Sequence, residues 1–288
     1  MEYSFDYLFS EYLSAVRGEL RSVPRIECAQ VALQRYFAGR DMLTLRRLDV
    51  TNYIQLRRRA GRSNSTVNRE IDVLSAAINY AAHQWEWPLP NPTKGMSLKI
   101  PEGRLRWLTR DEAKRLTMAA DAGLNHCLAS FIQLALNTGM RLNEMLKLEW
   151  HRVSLDERRV QLDGIHTKNG KRRFIPLNRP AAAALSERYA FRIEHCPRSP
   201  WVFAWPDGRR VTRLYEQFQT AKKRAGIHDF RIHDLRHTFA SWLVSTGVPL
   251  TEVRDLLGHA SVRETERYAH LAPNRLFQAV ERLELATE

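Results

Sequence analysis

Apolar residues recur at helical spacing through most of the first 84 residues. The period is clearest at 65–84, where Ile71, Leu74, Ile78 and Ala81 share one helix face and Ser65 is predicted as the N-cap. Earlier segments with the same period lie at 4–21, 26–38 and 49–60. This pattern predicts a small all-helical unit at the start of the chain.

A segment rich in proline and glycine follows this unit. Between 87 and 104 the sequence WPLPNPTKGMSLKIPEGR contains four prolines and two glycines, which cannot continue a helix. We therefore predict an inter-domain linker. It separates a helical domain at 1–99 from a second domain at 100–288.

The second domain is predicted to begin with helices. Thr109 and Glu112 have the spacing of a capping box, so a helix should start near residue 110. An apolar helix is predicted at 125–137, ending at the sequence Asn-Thr-Gly. Helical spacing then resumes over 141–148, which places Arg141 and Glu144 on one face.

The period changes to two between 150 and 177. Two alternating segments flank Asn169-Gly170, a strong signal for a hairpin whose turn lies between Lys168 and Lys171. The remainder, from about 180 to 285, is predicted to be helical. The fold class is therefore mainly α with a small antiparallel β-sheet.

Composition favours a polyanionic partner. The chain has 288 residues, a net charge of +13 and a pI of about 10, so nucleic acid is the first candidate and a membrane surface the second. The longest apolar run, at 127–136, is too short to cross a bilayer, and the first residues do not resemble a signal peptide. The odd number of cysteines argues against a disulfide framework. We expect a cytoplasmic, nucleoid-associated protein.

The stretch HDLRHTF at 233–239 gathers His233, Arg236 and His237 on one predicted helix face, opposite an apolar face. Three interpretations are open. The face could simply be solvated, the two histidines at i, i+4 could bind zinc, or the cations could bind phosphate. The zinc pattern lacks its glutamate and a third ligand, because Asp234 stands at the glutamate position.

The following residues favour phosphate binding. A helix over 249–257 should close at Gly258, leaving His259 in the turn after it. Ser261 and Glu264 have the spacing of a capping box for a short helix that would carry Tyr268. A cation, a histidine and a phenol are thus separated only by turns that could bring them together.

Five motifs resemble those of the tyrosine recombinase (phage integrase) family, in the same order. They are TGMRLNE at 138–144, HTKNGKRRFIPL at 166–177, HDLRHTFAS at 233–241, LLGH at 256–259 and TERYAH at 265–270. The sequence STVNREIDVLSAAINYA also resembles the family's core-binding domain. The resemblance implies an α+β catalytic domain after a core-binding domain, in a simple recombinase without an N-terminal arm-binding domain.

The resemblance also implies a role for each motif residue. Tyr268 would attack DNA to give a 3′-phosphotyrosine, and Lys168 would protonate the leaving oxygen. Phosphate binding would fall to Arg141 and Arg236, with His233 and His259 also assisting proton transfer. Glu144 would orient its neighbours. For His237 we predict a supporting role behind these residues or at the DNA backbone. No metal or cofactor is implied.

The partners that the resemblance implies are paired sites on double-stranded DNA and a homotetramer assembled on them. A terminal helix at 272–288, with apolar residues at helical spacing, would dock on the neighbouring protomer; packing on its own domain is the alternative. Two other functions are alternatives. A non-catalytic DNA-binding protein would lack one of the motif residues, and a type IB topoisomerase-like enzyme would relax supercoils without recombining sites.

Overall fold

The computed structural model describes residues 3–20, 22–101, 104–123, 125–164 and 172–272. The chain divides into two compact units, 1–103 and 104–288. Both are mainly helical, and the second contains a small three-stranded antiparallel sheet. The predicted fold class is therefore confirmed. No helix among the described residues is long and apolar enough to cross a membrane.

The helices predicted for the first unit are all present. Ser63, rather than the predicted Ser65, caps the last of them: its extended backbone lets its hydroxyl accept from the Thr66 amide at 3.3 Å, whereas Ser65 already lies in the first helical turn. The apolar faces of these helices form the core of the unit. The bounds are α1 Phe5–Val16, α2 Val23–Phe37, α3 Arg47–Arg59 and α4 Asn64–Gln84.

A buried carboxylate joins α3 to α4. Glu70, only 4% exposed, accepts hydrogen bonds from the Tyr53 hydroxyl at 2.7 Å and from Nε and an Nη atom of Arg57 at 2.9 and 2.6 Å. The fork of the guanidinium matches both carboxylate oxygens, so the buried charge is paired and hydrogen-bonded. This interaction holds Arg57, the first of three arginines in the last turn of α3, against α4.

The segment predicted as a linker is largely held against the first unit. The amide of Asn68 on α4 donates to the Leu98 carbonyl and accepts from the Leu98 amide, both at 2.8 Å. Asn64 donates to the Lys99 carbonyl at 2.8 Å. Side chains of α4 thus form hydrogen bonds with backbone groups that the proline-rich segment cannot pair among themselves.

The second unit starts with α5 at the predicted place. The Thr109 hydroxyl accepts from the Glu112 amide, and the Glu112 carboxylate accepts from the Thr109 amide, which completes the capping box. The next helix begins at Leu128, three residues later than predicted, and ends at Gly139 as predicted. The helices are α5 Arg110–Asp121, α6 Leu128–Thr138, α7 Leu142–Leu146, α8 Arg179–His195, α9 Tyr215–Arg224, α10 Asp234–Ser245, α11 Leu250–Leu257 and α12 Arg263–Glu266.

The predicted hairpin is formed by β2 and β3, which pair antiparallel with Val160 opposite Ile175. The strands are β1 Val153–Ser154, β2 Arg159–Leu162 and β3 Arg173–Pro176. The predicted turn at Asn169-Gly170 lies outside the described residues. Residues 196–214 do not form the predicted helix; isolated bridges pair Glu149 with Trp201 and Ala204 with Arg210 instead.

Candidate active site

The C-terminal end of α11 lies at the centre of the site. Gly258 ends the helix in the left-handed conformation, at φ 64°, and the carbonyls of Leu257 and Gly258 point beyond the helix. An Nη atom of Arg236 donates to the Leu257 carbonyl at 2.8 Å, and one of Arg141 donates to the Gly258 carbonyl at 3.1 Å. Terminal carbonyls and the helix dipole both favour cations, so this end holds two arginines side by side.

Arg236 is almost completely buried, with 5% of its surface exposed. Its second Nη atom donates to the Gly139 carbonyl at 2.7 Å, so α10 is tied to the end of α6 as well as to α11. Gly139 has φ +63°, and a Cβ atom there would overlap the Phe239 ring, so this close approach requires glycine. Burial, and next the charge of Arg141, lower the pKa of Arg236 to about 9, which leaves it charged at neutral pH.

Glu144 links two arginines. The predicted pair forms: an Nη atom of Arg141 donates to the Glu144 carboxylate at 3.0 Å, and the Arg141 amide donates to it at 2.9 Å. An Nη atom of Arg173 on β3 donates to the other side of the same carboxylate at 2.7 Å. Arg141 and Arg173 thus share one carboxylate, and Arg236, beside Arg141 at the end of α11, adds a third guanidinium to the site. This net positive charge suits an anion.

Arg173 is a further residue of the site, and it was not predicted from the sequence. Its side chain faces inward on β3 beside that of Ile175, while Phe174 and Pro176 face outward. Its Nε atom is buried without a hydrogen-bond partner among the described residues, and its guanidinium lies where a side chain on Gly258 would be. In the predicted strand, side chains alternate between the two faces, so Arg173 shares a face with Ile175. This alternation could have indicated from the sequence that Arg173 points inward.

Tyr268 is 1% exposed and packs with apolar side chains of α10 and α11. Its hydroxyl forms a hydrogen bond with Nδ1 of His237. Burial raises the pKa of the Tyr268 phenol to about 12, and the charges of Arg267 and Arg236 oppose this rise. The phenol is therefore protonated at neutral pH.

The predicted short helix carrying Tyr268 is wrong in detail. The helix covers only Arg263–Glu266, its N-cap is Val262 without a side-chain bond, and Tyr268 lies in the turn that follows. The capping box of Ser261 and Glu264 therefore does not form. Because the residue before the helix, Val262, has helical dihedral angles, the extended cap geometry that such a box needs is missing.

The histidines occupy different positions around the arginines. His233 precedes α10 and is exposed, and its ring lies 5.2 Å from that of His237 at nearly a right angle. Nδ1 of His259 lies 2.9 Å from the hydroxyl of Thr265, which is fully buried. Burial first, and then Arg236 and Arg141, lower the pKa of His259 to about 3. The imidazole of His259 is therefore neutral at neutral pH.

The predicted face of His233, Arg236 and His237 is thus divided. Arg236 reaches inward to the carbonyls of Gly139 and Leu257, while His237 reaches Tyr268. Within the described part of the chain, no group of three His, Cys, Asp or Glu side chains could hold a metal ion. Lys168 and Lys171 lie outside the described residues, as does the predicted terminal helix beyond Ala272.

Residues 106–275 match the model of the phage integrase family. The chain is 32% identical over 231 residues to the integrase of Salmonella phage P22, covering 74% of this chain and 55% of that protein. It is 28% identical over 248 residues to the tyrosine recombinase XerD of Listeria innocua, covering 82% of each. The chain thus spans little more than half of the phage protein.

Solved structures share the fold at low identity. The Tn1549 transposon integrase in complex with a circular intermediate DNA matches with a TM-score of 0.78 at 18% identity, over 99% of both chains. A lambda integrase tetramer bound to a Holliday junction matches with a TM-score of 0.76 at 16% identity, over 95% of this chain and 78% of that one. The resemblance stated from the sequence motifs is confirmed.

Proposed function

The chain belongs to the phage integrase family, and from this membership we propose that it is a site-specific DNA recombinase that breaks and rejoins strands through Tyr268. The observation that carries the proposal is the gathering of Arg141, Arg236, His259 and Tyr268 around the end of α11. This set combines a nucleophile with charge stabilisation for a phosphoryl group. Those are the needs of phosphodiester cleavage without a metal.

Arg141 and Arg236 are the proposed phosphate ligands. Each guanidinium has five N–H groups, and the contacts described above use only two on each. The remaining donors can bind the non-bridging oxygens of the scissile phosphate and stabilise the pentacoordinate transition state. Glu144 keeps Arg141 in this orientation, which supports its proposed role as a positioning residue.

The proposed reaction conserves the phosphodiester bond energy. The Tyr268 oxygen forms a bond to phosphorus, the bond from phosphorus to the 5′ oxygen breaks, and a 3′-phosphotyrosine results. Lys168, by resemblance, gives its proton to the departing 5′ oxygen. His233 and His259 hydrogen-bond the phosphate. Rejoining reverses these steps when a 5′ hydroxyl from the same or a partner strand attacks the phosphotyrosine.

Double-stranded DNA is the proposed partner. The net charge of +13 favours it, and the matched integrase structures contain DNA. We assign residues 1–99 to core binding and 100–288 to catalysis, by resemblance. A homotetramer on two DNA sites is the proposed active assembly, with the terminal helix of each protomer docked on its neighbour, as the matched lambda integrase is a tetramer on a Holliday junction.

The first test replaces the nucleophile. Tyr268→Phe should abolish the covalent adduct and leave DNA affinity within about threefold, because only one hydroxyl is lost. The assay uses nicked duplexes from the DNA flanking the gene, chosen for inverted repeats, and detects adducts that resist SDS. Ser245→Ala, at the exposed end of α10, is the control. Adduct formation by Tyr268→Phe would assign the nucleophile to another residue.

A second assay separates recombination from relaxation. A plasmid carrying two copies of the site on which the wild-type adduct forms is incubated with the wild-type protein, and resolved circles are counted. Recombination between the copies supports the proposal. Supercoil relaxation without exchanged strands would instead support the topoisomerase-like alternative.

A further inference from the structure

We propose that His237 is a catalytic residue that takes the phenolic proton of Tyr268 as the bond from oxygen to phosphorus forms. This inference rests on the proposed function, and it goes beyond the supporting role expected for His237. The hydrogen bond between Nδ1 of His237 and the Tyr268 hydroxyl carries it. His237 thus touches the reacting atom.

Burial limits which group can accept this proton. Tyr268 is 1% exposed and lies among Phe239, Ala240, Val253 and other apolar side chains, so bulk water does not reach its hydroxyl. Two other histidines lie near the arginines: Nδ1 of His259 is paired with a threonine hydroxyl, and His233 is exposed with its ring beside that of His237. His237 is the neighbour whose ring nitrogen meets the phenol directly.

The charge state of His237 suits an acceptor. Burial first, and then the neighbouring His233, Arg267, Arg236 and Arg104, lower the pKa of His237 to about 4. The ring is therefore neutral at neutral pH. With its proton on Nε2, it offers the Nδ1 lone pair to the phenol.

Proton transfer should require bound DNA. In the free protein the pKa of Tyr268 is about 12, far above that of His237, so the proton remains on the phenol. A bound phosphodiester adds a negative charge that offsets the nearby arginines and raises the proton affinity of the imidazole. The phenol also becomes more acidic as its oxygen bonds to phosphorus. Transfer and bond formation are therefore coupled.

The proton balance closes over the cycle. During cleavage the bond from Tyr268 to phosphorus forms, the bond to the 5′ oxygen breaks, and the phenolic proton moves to Nδ1 of His237. During rejoining the 5′ hydroxyl attacks and returns its proton to Lys168, the phosphotyrosine bond breaks, and His237 returns its proton to the phenolate. No external acid, base or oxidant is consumed at this residue.

The test compares two substitutions that differ in one property. His237→Asn keeps a hydrogen-bond acceptor near the Nδ1 position but cannot take a proton, whereas His237→Ala loses both. The substrate is the nicked duplex that wild-type protein captures most efficiently from a random-sequence library. Single-turnover adduct formation is normalised to the fraction of protein that binds this duplex. Exposed His228→Asn is the matched control.

We expect both His237 variants to cleave about 10²- to 10⁴-fold more slowly than wild type, with DNA affinity nearly unchanged. Added imidazole should partly restore His237→Ala, more so for imidazoles of higher pKa. Cleavage by His237→Asn within threefold of wild type would overturn the inference, because the contact would then only position Tyr268. Failure of the wild-type protein to form any adduct would instead contradict the proposed function.

A second measurement serves if both variants fold poorly. In otherwise wild-type protein, His237 is replaced by Nδ1-methylhistidine, which retains the ring but blocks the nitrogen that meets the phenol. We expect a loss of cleavage of the same size as in His237→Asn. Wild-type cleavage by this protein would overturn the proposal.

Discussion

Burial, and then the charge of nearby arginines, keeps two histidines of the site neutral. His237 and His259 have pKa values of about 4 and about 3, because both are partly buried and face Arg236. A free histidine titrates near 6.5. Between about pH 6.5 and these lower pKa values, the unfolded chain therefore binds protons that the folded protein does not bind. The free energy of unfolding consequently depends on pH.

The sign of this dependence follows from linkage. The stabilising contribution of each neutral histidine is fully present above pH 6.5 and is lost as the pH falls towards the folded-state pKa of about 4 for His237. Each proton taken up only by the unfolded chain lowers the unfolding free energy by at most about 1.4 kcal/mol per pH unit. Urea unfolding between pH 7 and 4.5 should show this decline.

A matched pair of variants isolates the contribution of His237. As the pH falls, the unfolding free energy of His237→Asn should decline less steeply than that of wild type, by the equivalent of up to one bound proton. The unfolding free energy of exposed His228→Asn should follow that of wild type. Equal slopes for wild type and His237→Asn would mean that the folded protein does not hold His237 neutral.

At the scale of elements, β3 and α7 are joined through the Glu144 carboxylate, which accepts from Arg173 at 2.7 Å and from Arg141 at 3.0 Å. In the sequence, the strand begins five residues after Lys168. We therefore expect Arg173 to position this hairpin against the arginines. Arg173→Met leaves a carboxylate that is 5% exposed with one cationic partner fewer.

Arg173→Met should lower the unfolding free energy by about 1–3 kcal/mol, the cost of an unmet buried polar group. It should also slow adduct formation, while Arg173→Lys should recover part of both because charge is restored without the fork. The control is Arg172→Met, the neighbouring arginine, whose side chain is 66% exposed. Equal stability of the Arg172 and Arg173 variants would contradict this role.

Local signals predicted most elements of the fold but fewer contacts of the site. The capping box at Thr109 and the left-handed glycines at 139 and 258 depend on neighbouring residues, so the sequence revealed them. The pairing of His237 with Tyr268 joins residues 31 apart, and that of Arg141 with Gly258 joins residues 117 apart. Such contacts depend on how helices pack, which spacing alone does not determine.

The helix predicted over 196–214 does not form, and this has a different cause. This stretch contains short apolar runs that period alone cannot assign to a helix or a strand. It forms bridges because the Val202 amide donates to the Leu148 carbonyl and the Trp150 amide donates to the Pro200 carbonyl. Both partners come from a distant part of the chain.

At the scale of the whole molecule, positive charge is spread over both units. Residues 1–100 contain 14 basic and 10 acidic side chains, a surplus of +4, and the remainder has a surplus of +9. In the first unit, α3 ends in a group of exposed arginines, which we call the α3 patch: Arg58, Arg59 and Arg62. The preceding Arg57 is already neutralised by Glu70.

If this patch contacts the DNA backbone, its removal should change the salt dependence of binding. The logarithm of the association constant falls with the logarithm of salt concentration, with a slope of about −0.9 for each phosphate neutralised. We expect the slope to become shallower by about 1 for every patch arginine that contacts phosphate, while cleavage at saturating protein remains unchanged. Binding is measured on the captured duplex at several salt concentrations with the full chain.

The control removes the same net charge elsewhere. It replaces three arginines that already have carboxylate partners with glutamine: Arg17 beside Glu27, Arg159 beside Glu157 and Arg209 beside Asp207. If the slope becomes shallower only in the patch variant, contacts between the α3 patch and DNA phosphates release the counterions. If the slope becomes shallower by the same amount in both variants, DNA binding depends on the net charge of the molecule and not on the α3 patch in particular. An unchanged slope in the patch variant would exclude α3 from the DNA interface, and binding would then rest on the surplus of +9 in the remainder of the chain.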